Sequence, residues 1–303
     1  MLKARDFTHN YLGQDKLGVS PTDSQIKRIQ EISLEMYKDI LKVCERNSLT
    51  IMLGGGSALG AVRHKGFIPW DDDIDLMMAR KDFDKFIQLF NNNLGHKYQL
   101  KAPHLKGNLS ELFIQVMNPN IKKRGIFHDP ESPREGIPID IFCIDYIPHN
   151  RILYYIKGSI ANALVFIRTS RRMYRGQSKL SKQLFCQSFS SSVYYYSRMA
   201  LGFLFNCISD SVLCHYFDKV VSTNKENKYV NIPTGRKHYF GEVHRKEVFF
   251  PPKEVLFENT KAFIPNNYDI YLKKLYGNNY MQIPPIEKRE NHIYTELELN
   301  TSL

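Results

Sequence analysis

The feature that most constrains this chain is the run Gly54 to Asp75, GGGSALGAVRHKGFIPWDDDID. The apolar segment Leu49 to Leu53 leads directly into it and reads as a short buried strand. Gly54, Gly55, Gly56 and Ser57 then open a helix expected over Ala58 to His64. A glycine turn between a strand and a helix presents backbone N–H groups to an anion. Glycine also lets a phosphate approach without a Cβ in the way, and Ser57 adds a hydroxyl at the same place. The run is not a Walker A loop, because no Lys-Ser or Lys-Thr follows Gly60. Leu59 occupies the third glycine position of a dinucleotide fingerprint counted from Gly54.

The acids that close the run need a separate account. Gly66 to Asp73 reads as a loop around Pro69, and Ile74 to Ala79 as a second strand, apolar apart from Asp75. Alternate strand residues share a face, so Asp73 and Asp75 are expected to point the same way with Ile74 toward the core. Two such carboxylates repel unless a cation sits between them, and hard oxygen ligands beside a phosphate select Mg²⁺ or Mn²⁺. A solvated, capped turn is the competing reading. It is weak for Asp73 and Asp75, since an acid among apolar strand residues needs a partner, and evenly balanced for Asp71 and Asp72. A third acid is expected from the strand Ile137 to Ile144, where Asp140 stands among apolar residues. Asp145, at that strand's end, is a rival for which a turn role is the simpler explanation.

Around this centre the elements alternate. A helix is expected from Pro21 to Arg46, with Ser20 as N-cap and Asp23 as the capping-box acid. Another helix is expected over Asp82 to Asn91, with strands over Tyr98 to Lys101 and Leu112 to Met117. The order predicts an α+β fold with an α/β-like core. Residues 1–20 are expected to be a flexible N-terminus and 21–150 the catalytic core. Residues 151–221, rich in Tyr, Phe, Arg and Lys, read as a helical insertion, and 222–303 as a region packing back on the core, with a helix over Tyr268 to Tyr276.

Bulk properties narrow the function. A hydrophobic share of 43% against 24% charged residues excludes a disordered chain. The net charge of +11 suggests an anionic partner, with surplus Lys and Arg that keep the protein in solution as the equal rival reading. Five cysteines, an odd number without a CxxC pair, argue against a disulfide framework or a zinc knuckle and for free thiols in a reducing cytoplasm. No segment reaches the about 18 uninterrupted apolar residues of a membrane span.

GGGSALGAVRHKGFIPWDDDID resembles the signature of the LicD family of phosphotransferases, to whose wider group the fukutin-related proteins belong. IPIDIFCIDYIP, FGEVHRKEVFFPPKEVLFEN and FIPNNYDIYLKKLYGNNYMQIPP, followed by His292, resemble the family's later blocks. The resemblance implies a nucleotidyltransferase-fold mixed sheet flanked by helices. It also implies transfer of phosphocholine from CDP-choline to a hydroxyl of a glycan acceptor (teichoic acid, capsule or lipopolysaccharide), with CMP leaving.

On that reading Gly55, Gly56 and Ser57 hold the diphosphate. Asp73, Asp75 and Asp140 hold the metal, with Asp140 as candidate base, and Arg63, His64 and Lys65 offer charge partners. Alternatives are transfer of glycerol phosphate or ribitol phosphate, nucleotidyl transfer, and a non-enzymatic nucleic-acid-binding module; no nucleic acid is expected as a partner. A lipid-linked acceptor would place the aromatic and basic region on the inner membrane surface. Packing on the core is the rival reading.

Overall fold

The computed structural model describes residues 21–125, 134–177, 179–223, 225–289 and 294–299. The expected flexible N-terminus, the Ser20 cap and His292 lie outside them. Helix α1, Asp23–Arg46, starts two residues after Pro21 because Thr22, not Ser20, supplies the cap. Thr22 accepts the Gln25 N–H on its hydroxyl while its own N–H donates to Gln25 Oε1 at 2.9 Å. The buried face of α1 carries Ile26, Ile29, Met36, Ile40 and Val43, as the spacing requires.

Strand β1, Ile51–Leu53, passes into helix α2, Gly55–Arg63, and strand β2, Asp75–Ala79, passes without a gap into helix α3, Arg80–Asn93. Strands β3, Gln99–Lys101, β4, Ile114–Gly125, and β5, Glu135–Tyr146, follow. Then come helices α4, Arg151–Arg175, α5, Lys179–Phe185, α6, Phe189–Leu204, and α7, Asp210–Val221. The rest comprises β6, Tyr229–Asn231, the short α8, His238–Gly241, β7, Val243–Arg245, the hairpin β8, Lys253–Phe257, with β9, Thr260–Ile264, helix α9, Tyr268–Tyr276, and β10, Tyr294–Leu299.

Eight strands form a mixed sheet whose main path is β1-β2-β5-β4-β10; β3 pairs with β4, and β6 joins β5 to β7. Only β2 and β5 are parallel among the described pairs. Their register sets Asp75 opposite Asp140. One large apolar core lies between sheet and helices, and contains Met36, Ile40, Leu53, Phe83, Phe86, Phe90, Ile139, Ile141 and Leu272.

Buried charge fastens the helices after β5 to this core. The Arg80 guanidinium donates to both oxygens of Asp145, at 2.8 and 2.7 Å, and to Asp218 of α7 at 2.7 Å. Asp145 therefore serves as a structural anchor, wholly buried at the end of β5, and not as a site acid. Arg168 and Arg172 of α4 pair with Glu111 at 2.5 and 2.7 Å, and Arg171 pairs with Asp210. Among the described residues no helix is long and apolar enough to cross a membrane.

Candidate active site

The site begins where β1 ends. Gly54 donates its N–H to the Asp75 carbonyl at 2.9 Å, pinning the turn to the first residue of β2. Helix α2 starts at Gly55, three residues earlier than expected, so the glycines form its first turn instead of a loop before it. Gly55 has φ of +45°, which favours glycine. A Cβ there would lie 2.7 Å from Asp75 Oδ2, and one on Gly56 would lie 2.9 Å from Asp71 Oδ2. The bare glycines thus admit two carboxylates onto the turn. Ser57 Oγ accepts the Asp75 N–H at 2.9 Å, a second tie between α2 and β2.

Strand β2 begins at Asp75, so the expectation that Asp73 and Asp75 share one strand face does not hold: Asp73 precedes the strand. The partner of Asp75 is Asp140, its register mate on the neighbouring parallel strand. Directly opposed residues of paired strands project to the same face, so the two acids stand side by side. Gln115, opposite Asp140 on β4, donates to Asp140 Oδ1 at 2.9 Å. Burial pushes the Asp140 carboxyl up to about 7, with the charge of Asp73 adding and the Gln115 hydrogen bond opposing. Asp73 therefore acts on Asp140 from outside the strand.

Three carboxylates, hard oxygen donors, suit a divalent cation by their chemistry. Among the described residues, however, no three His, Cys, Asp or Glu side chains are already gathered at metal-holding distance. Asp72 turns the other way: it is buried and accepts a hydrogen bond from the Tyr294 hydroxyl at 2.6 Å.

The three residues past the turn diverge. Arg63 faces the C-terminal region, donating to the carbonyls of Tyr280 at 3.0 Å and Gln282 at 3.2 Å and to His64 Nε2 at 2.8 Å. His64 caps the helix through its N–H, and burial, then Arg63, lowers its pKa. Lys65 is exposed, with φ of +63°. Trp70 takes the packing role: Arg289 lies 4.1 Å and Arg63 5.9 Å from its ring centroid, and His64 meets it edge-on.

Tyr271 and Tyr276 recur at helical spacing on α9, where core packing is the simpler expectation. Tyr271 is buried there, but its hydroxyl accepts the Gly55 N–H at 3.0 Å and so takes one of the N–H groups expected to face phosphate. Burial raises the Tyr276 hydroxyl pKa; Asp75, Asp71 and Asp73 add to it and Arg236 opposes it. The hydroxyl therefore feels all three acids. The Arg236 guanidinium lies 5.1 Å from the Tyr276 ring centroid. The signal available for both tyrosines was their residue type: a buried Tyr needs a partner for its hydroxyl, whereas Leu or Phe would fill the space without one.

Register-matched acids stand on the parallel pair of a mixed sheet, beside a glycine-opened helix. Residues 48–142 match the family described as LicD/FKTN/FKRP, nucleotidyltransferase domain. The chain is similar to the lipopolysaccharide cholinephosphotransferase LicD of Haemophilus influenzae, with 26% identity over 270 residues, covering 88% of this chain and 95% of that protein. It is also similar to an uncharacterized protein of Rickettsia typhi, 26% identical over 49% of this chain and 47% of the relative. A third relative, from Rickettsia prowazekii, is 34% identical over 21% of this chain and 26% of its own length.

Proposed function

We propose that this protein is a transferase of phosphorus-containing groups that moves phosphocholine from CDP-choline to a hydroxyl of lipopolysaccharide or a related surface glycan, releasing CMP. The observation that carries this reading is the pairing of Asp75 with Asp140 beside the glycine turn. Similarity to a lipopolysaccharide cholinephosphotransferase along 88% of the chain supports the cargo and the acceptor class. The free state of all five cysteines fits the proposed cytoplasmic location.

In this proposal Asp73, Asp75 and Asp140 would hold Mg²⁺ or Mn²⁺. When bound, such an ion neutralises charge on phosphate oxygens and acts as a Lewis acid. The chain's own residues do the rest. Gly56 and Ser57, in the first turn of α2, receive the donor's phosphates on a helix N-terminus. Tyr271 holds Gly55 and keeps the turn in shape. Asp140, beside Asp75 and held by the Gln115 hydrogen bond, is placed to take the hydroxyl proton. The acceptor oxygen forms its bond to phosphorus as the bond to CMP breaks. Lys65 is exposed and Arg236 lies beside Tyr276, so these two are better placed to meet donor phosphate than Arg63, whose guanidinium is committed to two carbonyls.

The test is product release from CDP-choline, CDP-glycerol and CDP-ribitol with Mg²⁺ and a glycan acceptor. CMP from CDP-choline is expected, and Asp75→Asn and Asp140→Asn should each lower turnover by about 10²–10⁴-fold with a melting temperature no lower than that of the wild type. CMP from CDP-glycerol or CDP-ribitol alone would replace the cargo. Pyrophosphate released from a nucleoside triphosphate would favour nucleotidyl transfer. No product from any donor, or full activity in both variants, refutes the reading.

A further inference from the structure

Helices α4 and α6 bury polar as well as apolar side chains, Ala161, Met173 and Tyr195 among the latter. The buried positions of α4 include Gly158, Ala161, Arg168, Ser170 and Arg171, and those of α6 are Ser191, Tyr195, Arg198 and Gly202. Large apolar side chains also face outward. On α4, Ile152, Tyr155, Ile156, Ile160 and Phe166 are between 37% and 71% exposed. They fall on one helical face about 21 Å long at 1.5 Å per residue. On α6, Phe189, Val193, Tyr196, Phe203 and Leu204 share one helical face and are between 52% and 88% exposed. The two faces adjoin. Arg198 of α6 lies 4.1 Å from the Phe166 ring centroid, and Phe203 meets Tyr174 of α4 at 5.8 Å. The outward faces are thus apolar where water favours polar side chains, and a surface this extended marks an interaction site.

Charge selects the occupant. Residues 151–221 hold ten Lys and Arg against two Asp and Glu; Arg168, Arg171 and Arg198 are buried and Arg168 and Arg172 pair with Glu111, while Arg151, Arg175, Lys182 and Lys219 are exposed. Both acids are spent on arginines of the protein itself, Asp210 on Arg171 and Asp218 on Arg80. Cations also flank the apolar face: Arg151 lies 5.9 Å from the Tyr155 ring centroid at one end, and exposed Arg175 stands at the other. A second copy would bring like charge against like charge. An anionic bilayer offers acyl chains to the apolar stripe and lipid phosphates to its flanks. We infer that α4 and α6 dock this protein on an anionic membrane surface, lying in the interface without crossing it. The docking face continues onto α8, in the segment that follows Arg236. Tyr155 meets the exposed ring of Phe240 at 6.0 Å, and Phe240 is four residues beyond Arg236, which flanks Tyr276 beside the acids. The inference extends the proposed function by stating where an acceptor hydroxyl is met.

The test is co-sedimentation of the full chain with vesicles of phosphatidylcholine, with and without phosphatidylglycerol. The wild type should pellet with the anionic vesicles at low salt and be partly released as salt rises. Ile156→Glu/Phe203→Glu should weaken partitioning at least tenfold with an unchanged circular dichroism spectrum. Independent of any variant, anionic vesicles should slow hydrogen exchange in residues 152–166 and 189–204 and not in the sheet. Absence of pelleting at low salt, equal pelleting of the variant, or a solution dimer dissolved by the same substitutions would overturn the inference. Sedimentation requires no turnover, so failure of docking and failure of phosphotransfer are told apart.

Discussion

Glu242 carries a measurable linkage between pH and stability. It is 1% exposed, at the end of α8, and accepts the Lys237 N–H at 3.1 Å. A Cβ on Gly235 would lie 2.4 Å from Glu242 Oε2, so the glycine makes room for the carboxyl. Burial raises this carboxyl from 4.5 to about 7, against the Lys237 hydrogen bond and the charges of Lys274, Lys237 and Arg236. Between those values the folded chain keeps a proton that the unfolded chain has lost. Stability therefore falls as pH rises from 4.5 to about 7 and is flat above. At about 1.4 kcal/mol per pH unit, the full cost is about 3 kcal/mol.

Glu242→Gln keeps an acceptor for Lys237 and removes the titration. The variant should match the wild type near pH 4.5 and exceed it by about 3 kcal/mol above neutrality. Urea midpoints of both proteins across this range measure the gap. A gap that does not change with pH, or a wild type more stable than the variant above neutrality, would refute the reasoning.

Two further substitutions probe the frame of the site. Arg80→Ala leaves Asp145 and Asp218 buried without their guanidinium and should cost about 3–5 kcal/mol in urea unfolding. Arg80→Lys should recover only part of this, because an ammonium cannot reproduce the two-pronged contact with Asp145. Tyr271→Phe keeps the packing but removes the acceptor for the Gly55 N–H, and should cost about 1–3 kcal/mol along with a loss of turnover. Unchanged stability and turnover in Tyr271→Phe would show that the hydroxyl does not hold the turn.

The sequence disclosed most where local pattern and tertiary role coincide. The apolar spacing of α1 and of α9 reads directly as helix, and α9 lies over the predicted Tyr268 to Tyr276. Asp140 stood out as an acid in an apolar run, and the structure sets it against Asp75. Strand pairing was less legible. Strands β4 and β5 extend to 12 residues each, beyond the apolar stretches that announced them. The added part of β4, through Asn118 and Lys123, is polar and is held by distant partners, with Arg124 pairing with Glu296 of β10 at 3.5 Å. Such pairing leaves no periodic apolar signal in either segment. The contacts of Tyr271 with Gly55 and Tyr294 with Asp72 were hidden for the same reason, since their partners lie 216 and 222 positions away.

Those two long-range hydrogen bonds, with Arg63 reaching the Tyr280 carbonyl, also bear on how the protein is made. Synthesis runs from the N-terminus, so the glycine turn and its acids leave the ribosome long before α9 and β10 exist. Until then the Gly55 N–H lacks the Tyr271 hydroxyl and Asp72 lacks that of Tyr294. A nascent or truncated chain holds the acids of the site without the groups that fix their positions. Completion of the C-terminal segment thereby acts as an assembly checkpoint, coupling the shape of the active site to the chain being whole.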